Sequence, residues 1–205
     1  MLRFAVGAAV VGAFVSAAAA ASEPVTIYSR GAFTLYGAVA TDRADEIVTI
    51  QAKDCGAPTP AFRDVAAART REGGSWSLEF STGITSTLRA IWKDSVSAPI
   101  TVRQRATVRL LPLASRSGFT VTVSGKTQFW RKRVLFQRFD RRLGTWKLVK
   151  AVVLTETGGF PGYGGAATWA EFRARLPKGT LVRAVFPRSQ SRPCYLAGVS
   201  KLVRT

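Results

Sequence analysis

The sequence predicts an all-β chain: two tandem seven-stranded β-sandwiches behind a leader peptide. Three observations carry this. Ala32–Asp54 aligns without a gap on Gly118–Asp140 at an offset of 86, with Phe33/Phe119, Thr34/Thr120, Thr41/Thr127, Val48/Val134, Gln51/Gln137 and Asp54/Asp140 identical. Apolar residues alternate with polar ones in short runs separated by Gly, Pro and Ser, the period of half-buried strands. No amphipathic helix of useful length interrupts them.

Residues 1–21 read as a secretory signal: Met-Leu-Arg, an apolar run Phe4–Val15, then the small-residue stretch Ser16–Ala21. The apolar run falls short of the roughly 18 residues of a spanning helix, and the small-residue tail speaks against a short membrane anchor. Cleavage is expected after Ala20 or Ala21, with no transmembrane segment left in the mature chain. No Cys sits there to take a lipid anchor, and no twin-Arg pair precedes the run.

The first domain, 22–103, opens with a strand at Val25–Tyr28, followed by Phe33–Val39 and Ile47–Ala52. Cys55-Gly-Ala-Pro-Thr-Pro is a loop, since Pro and Gly break a ladder. Ala61–Arg69 suits a short helix or a strand, and its context favours the strand. After the Gly73-Gly74 turn, Trp76, Leu78 and Phe80 alternate with polar residues, as do Leu88, Ala90 and Trp92; Ile100–Arg103 closes the unit. The second domain, 104–205, repeats the plan with Val108–Leu110, Phe119–Val123, 132–139, Trp146–Val153, Ala170–Ala174, Val182–Phe186 and Val199–Val203. Thr155–Thr168 reads as a Gly-rich insertion whose segment 158–165 is a flexible loop, with Phe160 and Tyr163 at its tip; it lacks the helix and Lys of a phosphate loop.

Gly74-Ser75-Trp76-Ser77, Gln137-Arg138 followed by Trp146, and the pair Leu88-Arg89-Ala90 and Val182-Arg183-Ala184 resemble the tandem immunoglobulin-like or fibronectin-III-like repeats of secreted bacterial proteins. The resemblance covers nearly the whole mature chain. It implies sandwich architecture and no single activity. Antibody-type domains carry a Cys pair within each sandwich, and neither unit here has one.

The chain has two cysteines, Cys55 and Cys194, one per domain. Strands of such a sandwich run alternately between two poles. Cys55 follows the third strand of the first domain, at its C-terminal pole. Cys194 precedes the last strand of the second, at its N-terminal pole. The short connection near Arg103–Arg105 brings those poles together, which predicts a Cys55–Cys194 disulfide locking the domains end to end. Two separate buried thiols, or one thiol pairing with another chain, are the alternatives. The bridge would close a loop for which chain-entropy models give about 4–5 kcal/mol.

Charge is divided unevenly. Residues 22–103 hold nine Lys/Arg and nine acids; residues 104–205 hold twenty Lys/Arg and three acids, net +17. Such asymmetry points to a polyanionic partner for the second half. Arg116, Arg141, Arg142, Lys178 and Arg204 fall at its free pole, and Arg173, Arg175 and Arg183 point outward by alternation. Arg131, Lys132 and Arg133 fall near the junction. Guanidinium grips phosphate or carboxylate bidentately, so cell-wall polymers, acidic glycans, nucleic acid and lipid headgroups are the expected ligand classes. A solvated charged surface that maintains solubility is the bland alternative.

Trp76, Trp92, Phe119, Phe136, Phe172 and Phe186 fall on core-facing positions. Trp130 lies in a loop beside Arg131, and Trp169 is out of phase with Ala170 and Phe172; each is either a loop-packing residue or an aromatic contact for sugar or base. The chain has no His, which removes Ser-His-Asp and Cys-His catalysis and His-based zinc sites. Asp42, Asp45 and Glu46 read as a solvated turn. No cofactor, metal or catalytic residue is expected. The expected role is that of a secreted, non-catalytic binding protein. A structural or adhesion module meeting a protein partner through a sheet edge, and a carbohydrate-binding accessory module, are the alternatives.

Overall fold

The computed structural model describes residues 3–7, 26–29, 32–114, 117–160 and 165–205. The chain is all-β and forms two compact units, Met1–Gln104 and Arg105–Thr205. Both cysteines are disulfide-bonded, and as the only two in the chain they form Cys55–Cys194.

Unit 1 contains β1 (Arg3–Gly7), β2 (Thr26–Ser29), β3 (Phe33–Ala38), β4 (Ile47–Asp54), β5 (Arg63–Arg69), β6 (Ser75–Phe80), β7 (Ser86–Trp92), β8 (Ser95–Val96) and β9 (Ile100–Gln104). One sheet runs β1-β3-β6 and the other β2-β9-β7-β4-β5, with β8 on β7. Alternation fills the space between them. Leu35, Val48, Ile50, Leu88, Ala90 and Val102 are fully enclosed, with Trp76 beside them. Ala61–Arg69, ambiguous by pattern, is strand from Arg63 because the β4 edge supplies its ladder. Gly74 holds a positive φ of 71° and packs on the Val39 and Thr41 carbonyls, where a Cβ would collide.

Unit 2 contains β10 (Thr107–Pro112), β11 (Gly118–Gly125), β12 (Arg133–Asp140), β13 (Thr145–Val153), β14 (Glu156–Phe160), β15 (Gly165–Arg173), β16 (Leu181–Phe186), β17 (Gly198–Val199) and β18 (Val203–Arg204), with one helical turn, α1 (Arg188–Ser191). Its sheets run β10-β11-β15-β14 and β13-β12-β16-β17, with β18 on β16. They face each other through aromatic rings: Phe136 lies 5.0 Å from Phe119 and 4.9 Å from Phe172, and Phe129 packs on Phe186 and Tyr195 at 5.1 Å each. The Tyr195 hydroxyl accepts the backbone N–H groups of Lys126 and Thr127. Its approach leaves no room for a Cβ at Gly125.

The duplication extends to side-chain chemistry. Arg89 Nε donates to Gln51 Oε1 at 2.8 Å and its guanidinium lies 4.0 Å from the Phe62 ring. In the second copy Arg183 Nε donates to Gln137 Oε1 at 2.9 Å and lies 4.1 Å from Trp146. Ser97 and Ser200 likewise each accept the N–H of the alanine before the final strands, Ala90 and Ala184.

One expectation changes. The Gly-rich insertion is not a loop over residues 156–160: it is strand β14, paired with β15, and Trp169 packs against Gly158 where a side chain would otherwise stand. Tyr163 lies outside the described residues. Most of the expected leader, residues 8–21, lies outside them, as do residues 22–25, and Arg3–Gly7 forms β1 along β3. Its register is that of β10 on β11. Val6 opposes Leu35 as Leu110 opposes Val121, and Phe4 opposes Gly37 as Val108 opposes Val123. No helix among the described residues is long and apolar enough to cross a membrane.

Candidate anion-binding cleft

The β12–β13 hairpin turn, Arg141–Gly144, is closed by one carboxylate. Asp140 accepts the N–H groups of Arg142 at 3.0 Å and Leu143 at 3.3 Å, and Gly144 supplies the positive φ of 63°. The Lys147 ammonium meets the same carboxylate at 2.8 Å. That hydrogen bond and the two backbone donors hold Asp140 below the ordinary carboxylate value of 3.8, against the upward pull of partial burial. The acid is thus fully engaged within its own hairpin.

Facing this turn is the Pro177–Thr180 turn that enters β16. Thr180 Oγ1 donates to the Pro177 carbonyl at 2.6 Å, and Thr205 Oγ1 donates to the same carbonyl at 2.7 Å. Gly179 N–H donates to the Thr205 carbonyl at 2.8 Å. These bonds fix the last strand beside the turn and carry Arg204 alongside Lys178. The result is an open cleft of about 500 Å³ lined by Arg138, Arg141, Arg142, Lys178 and Arg204, with Asp140 as its one acid. Among the described residues, no hydrogen bond or ion pair engages the charged ends of those five cations.

Arg141, Arg142 and Lys178 therefore converge as their topology suggested, and Arg204 joins them. Arg138 was not singled out, because its half-buried position on β12 puts it on the core-facing side of a strand; only the open end of the sandwich makes that side accessible. Arg173 and Arg175 are exposed but do not line the cleft. Arg116 lies outside the described residues. Arg183 is taken up by Gln137 and Trp146, and burial lowers its pKa from the ordinary arginine value. The repetition of that triplet at Arg89 marks a packing role, and Arg183 is left out of the candidate surface.

The two unassigned tryptophans separate. Trp169 is half-buried against β14, which makes it a packing residue. Trp130 is 52% exposed, with the Arg131 guanidinium 4.1 Å from its ring. Among the described residues no group of three or more Cys, Asp or Glu side chains is placed to hold a metal ion.

No known protein family matches the chain, and no curated protein matches it. Among solved structures, one similar chain is a marsupial T cell receptor, at 8% identity and a TM-score of 0.30 over 88% of this chain and 69% of that one.

Proposed function

We propose that the chain is an exported, non-catalytic binding protein of two immunoglobulin-like β-sandwiches, whose basic second unit grips an anionic polymer in the cleft at its tip. One observation carries this reading: five cations that have no counter-ion among the described residues meet in one cleft, and its single acid is tied to Lys147. A merely solvated surface has no reason to gather unpaired cations, since like charges held together raise the free energy of the folded state. The disulfide suits an oxidising compartment outside the cytosol.

The test is retention on immobilised heparin and titration with duplex DNA as a model polyanion. If all five cations contact phosphates, the affinity should fall with salt at a log–log slope of about −4 to −5. The triple variant Arg141→Ala/Arg142→Ala/Lys178→Ala should bind at least tenfold more weakly, with a slope shallower by about 3. Elution no later than a neutral β-sandwich, or a variant that binds like the parent, would refute the reading.

A further inference from the structure

A second surface of unit 2 is distinct from the cleft. Strand β13 ends its sheet: it pairs with β12 and has no described neighbour on its other side. Its two faces differ in chemistry. Trp146, Leu148, Ala151 and Val153 oppose Phe139, Gln137, Leu135 and Arg133, on the side away from the core. Lys147 and Lys150 oppose Arg138 and the buried Phe136, on the core side but beyond its rim. A β-bulge at Val149, the one residue of the run without a partner on β12, resets the phase and keeps Leu148 and Ala151 on the same face. Leu148 is 58% and Val153 41% exposed. An edge with unpaired backbone groups and exposed Leu and Val is a template for another strand.

The first copy supplies the contrast. At the matching edge β5, Arg63 is paired with Asp54 and Asp64 accepts from Gln51, so charges of both signs are satisfied locally. Val65 and Ala66 are packed against the core. That edge is blunted, whereas β13 is apolar on one face and on the other carries Lys150 together with Lys147, which Asp140 engages at the hairpin end.

We propose that the outer edge of β13 takes up an extended segment of an acidic protein partner by strand addition. The side chains of an added strand stand beside those of its neighbour on each face. The complement of β13 is therefore a strand with apolar residues on one face and Asp or Glu on the other, a period-two acid/apolar alternation. A second copy of this chain fits poorly, because it would bring further lysines and another net +17 domain to the same edge. The charge on β13 selects against self-pairing and in favour of an acidic guest.

The probe is a synthetic end-capped nonapeptide alternating glutamate and valine, with two controls: its lysine/valine counterpart and a scrambled peptide of the same composition. Binding to the full chain is read by fluorescence anisotropy, and the site by hydrogen exchange. The alternating acidic peptide should bind, both controls at least tenfold more weakly, and backbone amides within 145–153 should slow. The exposed double variant Leu148→Lys/Val149→Lys should lose at least tenfold in peptide affinity while keeping its heparin retention. The triple cleft variant should show the reverse. Equal binding of the scrambled peptide, protection confined to 138–142 and 178–181, or an unaffected double variant would overturn the proposal. So would a concentration-dependent dimer, formed without peptide and abolished by the double variant, since the guest would then be a second copy.

Discussion

At the scale of single residues, function and packing divide between neighbouring arginines. Arg183 has a hydrogen-bond acceptor and an aromatic face, whereas Arg141 has neither among the described residues. Arg183→Ala should therefore cost about 1–2 kcal/mol of stability in urea unfolding and leave heparin retention unchanged. Arg141→Ala should do the opposite. Asp140 and Glu46 are two carboxylates whose folded-state affinity for protons is reduced. For Asp140 the leading cause is the Lys147 hydrogen bond. For Glu46 burial is the largest influence and pushes upward, but donors from Trp92, Lys93 and Thr41 together outweigh it. Each then binds fewer protons folded than unfolded, so its stabilisation is present above its ordinary value, 3.8 or 4.5, and is lost as the pH falls through the lower folded one. Urea midpoints measured from pH 6 down to 2 should drop below about pH 4, and Asp140→Asn should flatten that drop in unit 2.

At the scale of elements, the duplicated strands have duplicated registers. Both β4 and β12 pair with a bulged partner at equivalent points, Ile50/Gln51 and Phe136/Gln137, as expected from the gapless alignment. The alignment also marked Gln51 and Gln137 as identical, but not that each holds an arginine of the next strand. That contact depends on sheet order, which periodicity alone does not supply. The equivalence of Ser97 and Ser200 was not legible, because their offset of 103 differs from the 86 of the main repeat. Strand β14 was missed because five glycines in 158–165 read as a loop; Trp169, from the neighbouring strand, provides the cover for Gly158. The N-terminal strand β1 occupies in unit 1 the place that β10 holds in unit 2. A chain beginning at Ser22 should show hydrogen exchange faster by at least tenfold at the β3 amides that bond to β1, with the amides between β3 and β6 little changed. Equal protection in both chains would mean that another segment fills the place.

At the scale of the whole molecule, the Cys55–Cys194 disulfide adds a second covalent link, besides the chain itself, to two units that each have their own core, Leu35–Val48–Ile50–Leu88 in the first and Phe119–Phe136–Phe172 in the second. Because neither cysteine is among the buried core residues, reduction should leave the β-sheet circular dichroism of both units intact. Non-reducing peptide mapping should recover the segments around Cys55 and Cys194 as one linked species, and the reduced chain should give two separately alkylated ones. Collapse of either unit on reduction would show that the bond supplies folding free energy beyond joining the units. Charge is distributed at this scale as well: the first unit's acids offset its cations, and the second has three acids for twenty cations.

The sequence by itself determined the strand period, the duplication and the placing of the positive charge in one half, because alternation, alignment and ionisation are properties of local order along the chain. The pairing of its two cysteines was foreseeable from strand polarity. Only tertiary structure decided which cations are available. Arg138, Arg141, Arg142, Lys178 and Arg204 come from three separated segments, and their meeting depends on a hairpin turn closed by Asp140 and a tail held by Pro177. Arg183, similar to them in sequence, is withdrawn by a neighbouring strand. Convergence and withdrawal are both set by which strands lie side by side, and that is fixed by the packing of the core.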